Sequence, residues 1–491
     1  MARGRWGALV ALSLVATGLA VPAHAAAVKP ALPYDFNGDG YPELAVGVPS
    51  MQVGSVKEAG GVVVLPASKK GLSSSEKIIT QSTRGVPGAS ERGDAFGSAV
   101  ASADFDADGY ADLAVGAPGE EVDDHAGAGA VTVVYGSKDG LSPATRSTRF
   151  TVDGSGALGT SLVAADLTGD GYPDLAMGSP REDYQDRGGD YGPSGAVHVY
   201  RGGPVGLTTA GALSEHGSRA TSGFDVGFGA LLAAGALDAD DRSDLVVGSE
   251  GARFVDDGYP GSVSICPGRT LGSEGCKQAY QNAKLANMTA LTVGGVTGAT
   301  SPDIVVGSPL YSEEDTGRVL LFQVSVSDPT RIAAPLEITQ ASKGVPGKDE
   351  IDAFGAGLAL GDIDHDGYLD MAVGAPREDG DEGRVTIVRG APGGYATSGN
   401  YIIDQDSKGV AGKSEKGDAF GAAVSLVDHN RDGALDLVVG QPGENSNAGA
   451  ATVVPGSGDK FATSGSKGFS LKGLGYPHPH HARFGETFGA R

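Results

Sequence analysis

The chain has 491 residues, with 61 acidic against 37 basic side chains and a formal charge of −24. That balance excludes a phosphate-backbone binder, which needs clustered Lys and Arg. With 40% hydrophobic residues and 81 Gly, the composition points to turn-dense β structure rather than disorder.

At the N-terminus, Arg3 and Arg5 precede an apolar run from Trp6 to Val21, and Ala23-His24-Ala25 has the small-x-small form of a cleavage site. This reads as a secretory signal peptide over residues 1–25, too short and wrongly flanked for a membrane span. The expected product is a released extracellular chain, free or wall-associated, with residues 26–491 forming a single domain.

The first acidic loop follows at once. Asp35, Asn37, Asp39 and Glu43 stand at positions 1, 3, 5 and 9, with Gly40 at 6 and the carbonyl of Tyr41 offered at 7. That spacing suits Ca²⁺, which takes six to eight oxygens, and a Gly lets the chain turn sharply around the ion. An EF-hand would continue as a helix. Here each loop opens into a short apolar run ending near a Pro, such as LAVGAP, so the loop leads into a strand. The same pattern recurs at Asp104, Asp106, Asp108, Tyr110 and Asp112, and with Thr at position 3 at Asp166, Thr168, Asp170, Tyr172 and Asp174. It returns at Asp362, Asp364, Asp366, Tyr368 and Asp370, and at Asp428, Asn430, Asp432, Ala434 and Asp436. Two degraded copies lie between: Ala236 replaces the first ligand ahead of Asp238, Asp240 and Asp244, and only Asp303 survives of the other. Asx-turns could hold one such loop without metal. Five with an acidic ninth residue favour about five bound Ca²⁺, because clustered carboxylates repel one another without a cation.

Seven copies with starts 59 to 70 residues apart indicate a repeat architecture. In the second copy, short strands are predicted at 98–103, 113–117, 130–135 and near 146–152, separated by turns. Four strands repeated seven times is the pattern of an all-β, seven-bladed β-propeller, with a solenoid as the alternative. A Phe-Gly pair stands eight residues before the loop at Phe96, Phe228, Phe354 and Phe420; the third copy has Leu158-Gly159 and the fifth has lost the pair. The first copy has none, yet the chain ends with Phe484-Gly485. The tail therefore supplies the missing front of the first repeat, and residues 486–491 are expected beside residues 44–48 as its innermost strand.

The combination of Phe-Gly, DxDxDGxxD and a following VGAP segment resembles the FG-GAP repeats of integrin alpha-subunit propellers and their secreted bacterial relatives. The resemblance implies that the acidic loops join first and second strands of each blade. It also implies that the loops between second and third strands lie on the opposite face, where integrins bind ligand. No inserted domain interrupts the second or third blade, so integrin-type partner recognition does not follow.

The remaining candidates are few. Cys266 and Cys276 are the only cysteines and suit a disulfide across the third and fourth strands of blade 4, against two free thiols. His478, His480 and His481 are held extended by Pro477 and Pro479 and read as exposed loop rather than a metal site. Loops after the VGAP segments carry Arg181, Asp183, Tyr184, Tyr191, Arg253, Phe254, Tyr259, Tyr311 and Arg377, a mix of rings and charge suited to a protein or glycan surface. No G-x-S-x-G elbow or HExxH occurs. The leading expectation is a monomeric, secreted, calcium-binding adhesion or binding module for an extracellular protein or glycan. A hydrolase or lyase working in the central pocket is the alternative, since propellers host many chemistries.

Overall fold

A computed structural model describes residues 30–489, apart from 153, 186–190, 194, 217–218, 221–222, 225–226, 251–259, 274, 286, 299–301, 310–315 and 349. The signal segment, Arg253, Phe254, Tyr259 and Tyr311 thus lie outside the described residues. The architecture is a seven-bladed propeller of four-stranded antiparallel sheets. Blade 2 shows the plan, with strands Val100–Ala103, Asp112–Ala117, Ser147–Thr151 and, between the last two, Ala130–Val134. The second strands, such as Asp112–Ala117 and Asp370–Ala375, are buried along their whole length. They read as apolar runs rather than alternations because each blade is covered by a neighbour on both faces.

The repeat's two glycines explain each other. The Phe of each pair is fully buried between blades: Phe96 packs with Val62, Val64 and Ile79 of blade 1 and with Val100 and Leu113 of blade 2. It also makes a parallel bridge to the Gly that opens the third strand of the preceding blade, as Phe96 does with Gly60. The following Gly97 adopts φ +97°, donates its N–H to Gly116 O of its own blade at 2.8 Å, and presses its carbonyl onto Gly47 of blade 1. A Cβ on the VGAP glycine would meet that carbonyl at 2.0 Å for Gly47, 2.0 Å for Gly116 and 1.8 Å for Gly440. The VGAP glycine is therefore a contact surface for the next blade's Phe-Gly turn. Gly116→Ala should lower stability by about 1–3 kcal/mol, the usual cost of overpacking. Gly203→Ala, where nothing lies within 4 Å of the added carbon, should stay within about 0.5 kcal/mol in the same denaturant titration. Equal effects would mean that the interblade contact yields easily.

Blade 5 carries no Phe-Gly pair. Its acidic loop keeps the usual span, with Gly294 opposite Asp303 as Ala103 is opposite Asp112, and Thr297 N bonds Asp303 as Thr168 N bonds Asp174. Ahead of its first strand Met288 is buried, and Thr289 N donates to Gly307 O at 3.0 Å, as Ala356 N does to Gly374 O in blade 6. In blade 4, Cys266, the last residue of the strand Gly261–Cys266, is bridged to Cys276, just ahead of Lys277–Asn282. This is the pairing across the third and fourth strands that the spacing suggests.

The ring closes through the C-terminus. Thr487–Phe488 is the inner strand of blade 1, with Val46 opposite Phe488 and Gly47 opposite Thr487. Phe484 is buried among Val46, Val63 and Leu65 of blade 1 and Val438 and Val453 of blade 7. Residues 30–34 do not fill that inner position. Ala31 N instead donates to Asp104 at 3.0 Å and Tyr34 N to Ser102 Oγ at 2.8 Å, bracing blade 2.

Candidate functional site

The well-formed acidic loops of blades 2, 3, 6 and 7 join first and second strands, that of blade 1 leads into its second strand alone, and all five share one hydrogen-bond scheme. The position-1 carboxylate accepts the N–H of the Gly at position 6, at 2.9–3.1 Å for Asp35, Asp104, Asp166, Asp362 and Asp428. The position-5 carboxylate accepts the N–H of position 7: Asp39 from Tyr41, Asp108 from Tyr110, Asp170 from Tyr172, Asp366 from Tyr368 and Asp432 from Ala434. The ninth residue accepts the N–H of position 2, through Glu43, Asp112, Asp174, Asp370 and Asp436. The Gly at position 6 is required by backbone and not by space. It sits at φ +88° to +94° in all five loops, with open room around Gly40, Gly171, Gly367 and Gly433. Position 4 is left-handed too, even at Ala107, His365 and Arg431, a conformation that costs a non-glycine about 1 kcal/mol.

Asx-turns explain those bonds without an ion. They do not explain the oxygens left over. Asp35 Oδ1, Asp106 Oδ1, Asp364 Oδ1 and Thr168 Oγ1 are buried with no hydrogen-bond partner, although most buried polar groups find one. In blade 2 one oxygen each of Asp104, Asp106 and Asp108 lies within 4.8 Å of the others, and in blade 6 the same holds for Asp362, Asp364 and Asp370. A hard-oxygen donor set with unpaired members fits a divalent cation. Burial pushes the Glu43 and Asp112 carboxyls up to about 8 and those of Asp174 and Asp436 to about 6. Without a cation these groups thus hold protons that an unfolded chain would release.

The ninth residue has a second task that the sequence pattern did not reveal. Its other oxygen accepts an N–H of the turn after the third strand: Asp112 from Gly136, Asp174 from Gly202, Asp370 from Gly390 and Asp436 from Gly456. Asp244 of the degraded fourth copy keeps this architectural role, bonding Leu237 N and Gly268 N, whereas Asp303 bonds Thr297 N and Oγ1 within its own loop.

On the opposite face, Arg181 and Arg377 are exposed, and their backbone N–H groups occupy matching places, bonded to Gly156 O and Asp352 O. Asp183, Tyr184 and Tyr191 fall on a small hairpin in which Tyr184 lies opposite Gly192 and Gln185 opposite Tyr191. The structure thus gathers four of the expected ligand residues on blade 3, while Arg377 stands apart on blade 6. His478, His480 and His481 are exposed, and no metal-like cluster among the described residues includes them. A central channel of about 510 Å³ is walled by small and apolar residues such as Ser98, Thr160, Leu231, Ala290 and Val424, and Glu486 is its only ionisable lining residue among the described ones.

The FG-GAP repeat profile matches residues 31–65, 96–134, 158–200, 354–388 and 420–454, which are the five blades with well-formed loops. Human phosphatidylinositol-glycan-specific phospholipase D is 27% identical over 385 residues, covering 72% of this chain and 45% of that protein. The bovine enzyme of the same name is 39% identical over 147 residues, 30% of this chain and 18% of its own length. Human integrin alpha-IIb is 32% identical over 169 residues, 32% of this chain and 15% of its own length. The chain therefore spans less than half the length of these relatives.

Proposed function

We propose that this FG-GAP repeat protein is a secreted binding module that takes about five Ca²⁺ ions on one face of its ring. It engages an extracellular protein or glycan with the loops of the other face. The observation that supports this most is the set of buried, partnerless oxygens inside acidic loops of one shared geometry. Bound Ca²⁺ would offset the net negative charge of these loops. Asp35, Asn37, Asp39 and Glu43 would hold it in blade 1, with the matching residues of blades 2, 3, 6 and 7 doing the same. The protein's own share is to fix each loop with backbone hydrogen bonds so that the donors converge before an ion arrives. Loops on a rigid ring lose little freedom on binding a partner, which favours recognition.

The likeness to a phospholipase D supports a second reading, a hydrolase with its site in the channel. A described wall of hydroxyl and apolar side chains with Glu486 alone ionisable weighs against it, because acid–base chemistry needs positioned titratable side chains. A glycan and protein array probed with the purified chain, with and without Ca²⁺, separates the two. Retention that fades in chelator supports binding. Turnover of an arrayed glycan or phosphodiester without retention would overturn it.

A further inference from the structure

The five loops differ at position 3, and the difference tracks a second residue. Asp106 and Asp364 are the only acids at that place in the well-formed loops; the others carry Asn37, Thr168 and Asn430. Each acid has an arginine on it. Arg146 bonds Asp106 Oδ2, and Arg389 lies 3.5 Å from Asp364 Oδ2 while bonding Asp370 Oδ2 at 2.6 Å. In both pairs the guanidinium takes one oxygen and leaves Oδ1 buried and free. Among the described residues, no ion pair is made by the loop acids of blades 1, 3 and 7. The degraded loop of blade 4 follows the same rule: its position-3 acid, Asp238, is bonded by Arg269, which also lies 3.8 Å from Asp240.

The arginines are not copies of one repeat position. Arg146 comes just before the fourth strand of blade 2, whereas Arg389 follows the third strand Arg384–Val388 of blade 6. Each is fixed by an aromatic ring, with the Arg146 guanidinium 3.5 Å from the centre of Tyr135 and that of Arg389 5.7 Å from Tyr401. Two routes converge on one electrostatic result. Counted over the ligand positions with every carboxylate ionised, four carboxylates with one guanidinium in blades 2 and 6, and three carboxylates in blades 1, 3 and 7, all present three net negative charges. Blade 4, without a first carboxylate, presents two.

We propose that Arg146 and Arg389 are tethered counter-cations that hold the charge of their loops equal to that of the other three, and so set a common affinity for Ca²⁺. They are positioning residues, acting through Asp106 and Asp364. Arg269 does the same work in blade 4, where it stands in for the ion. The inference rests on the calcium reading above, deepening it by saying how the affinity is matched.

Calorimetric titration of the full chain with CaCl₂ tests it. Wild-type protein should show one class of about five ions. In R146Q/R389Q two ions should bind on the order of tenfold tighter, ahead of the other three, because a divalent ion no longer faces a fixed positive charge. The same variant should melt earlier than wild type in chelator, where its extra carboxylates lack any partner. R146K/R389K, which keeps the charge, should titrate like wild type. Should the Gln variant fold poorly, the quadruple variant R146Q/D106N/R389Q/D364N removes both members of each pair and should return to one class of sites. A Gln variant whose two sites are unchanged, weakened or lost overturns the proposal. Wild-type protein that takes up no Ca²⁺ refutes the calcium reading itself, a separate outcome.

Discussion

Chelation should lower the melting temperature by about 5–10 °C and reverse its dependence on pH. An ion that binds only the folded form stabilises it by RT ln(1 + [L]/Kd), about 1.4 kcal/mol at tenfold excess. Five ions of the extracellular class, with Kd of about 10⁻⁴–10⁻³ M, would then contribute about 7 kcal/mol. For a domain of this size the unfolding entropy is about 1 kcal/mol per degree, which gives the expected shift. The sign of the pH dependence follows from the same carboxyls. With no cation, burial raises Glu43 and Asp112 to about 8 and Asp174 and Asp436 to about 6. These are acids whose folded value lies above the unfolded one. The folded chain therefore binds more protons between about pH 4 and pH 8, and stability falls as pH rises through that window. In chelator the protein should melt several degrees higher at pH 5 than at pH 8. With Ca²⁺ the order should invert, because the ion needs ionised ligands and competes with protons. The remaining charge titrates in both samples, so the difference between the two curves is the readout. Parallel curves, or a melt that ignores chelator, would show that the loops stand without an ion.

Much of this was legible in the sequence because its signals are local. A nine-residue spacing of oxygens and an eight-residue offset of Phe-Gly both survive in one dimension, and so did the closure by the tail. What was missed joins distant residues. The pairing of Arg146 with Asp106 spans 40 positions, and Arg389 reaches Asp370 from the third strand, so no motif could contain both members. Asp244 and Asp303 looked like relics of lost metal sites. The structure gives them a present function: Asp244 joins its loop to the turn after the third strand, and Asp303 ties its own loop together. The ligand face is where spacing offers least, since its loops vary in length and sequence.

Removal of residues 484–491 should destabilise the protein more than any loop substitution and should promote its association. Three physical terms combine. Phe484 is wholly buried between blades 1 and 7, and deleting a buried aromatic side chain costs about 3–5 kcal/mol by itself. The pairing of Phe488 with Val46 and of Thr487 with Gly47 is lost as well, which exposes the N–H and C=O groups of Leu44–Val48 along the channel. An open strand of that kind is a template for another chain. Finally, the contact between Gly485 and Gly440 goes, and with it the last of the Phe-Gly turns that lock blade to blade. Other bonds still join the two ends, such as Tyr476 Oη to Gln52 O at 2.6 Å and His429 Nδ1 to Pro42 O at 2.7 Å. The truncated chain should therefore fold, but melt at least several degrees lower and form dimers or larger species in sedimentation. Phe484→Ala should fall between the two, lowering stability without opening the edge. Deleting residues 26–29, ahead of the hydrogen bond from Ala31 to Asp104, serves as the control and should leave both measurements near wild type. Were that deletion to match the loss of the tail, closure would depend on the N-terminus instead, and the inner strand of blade 1 would need another origin.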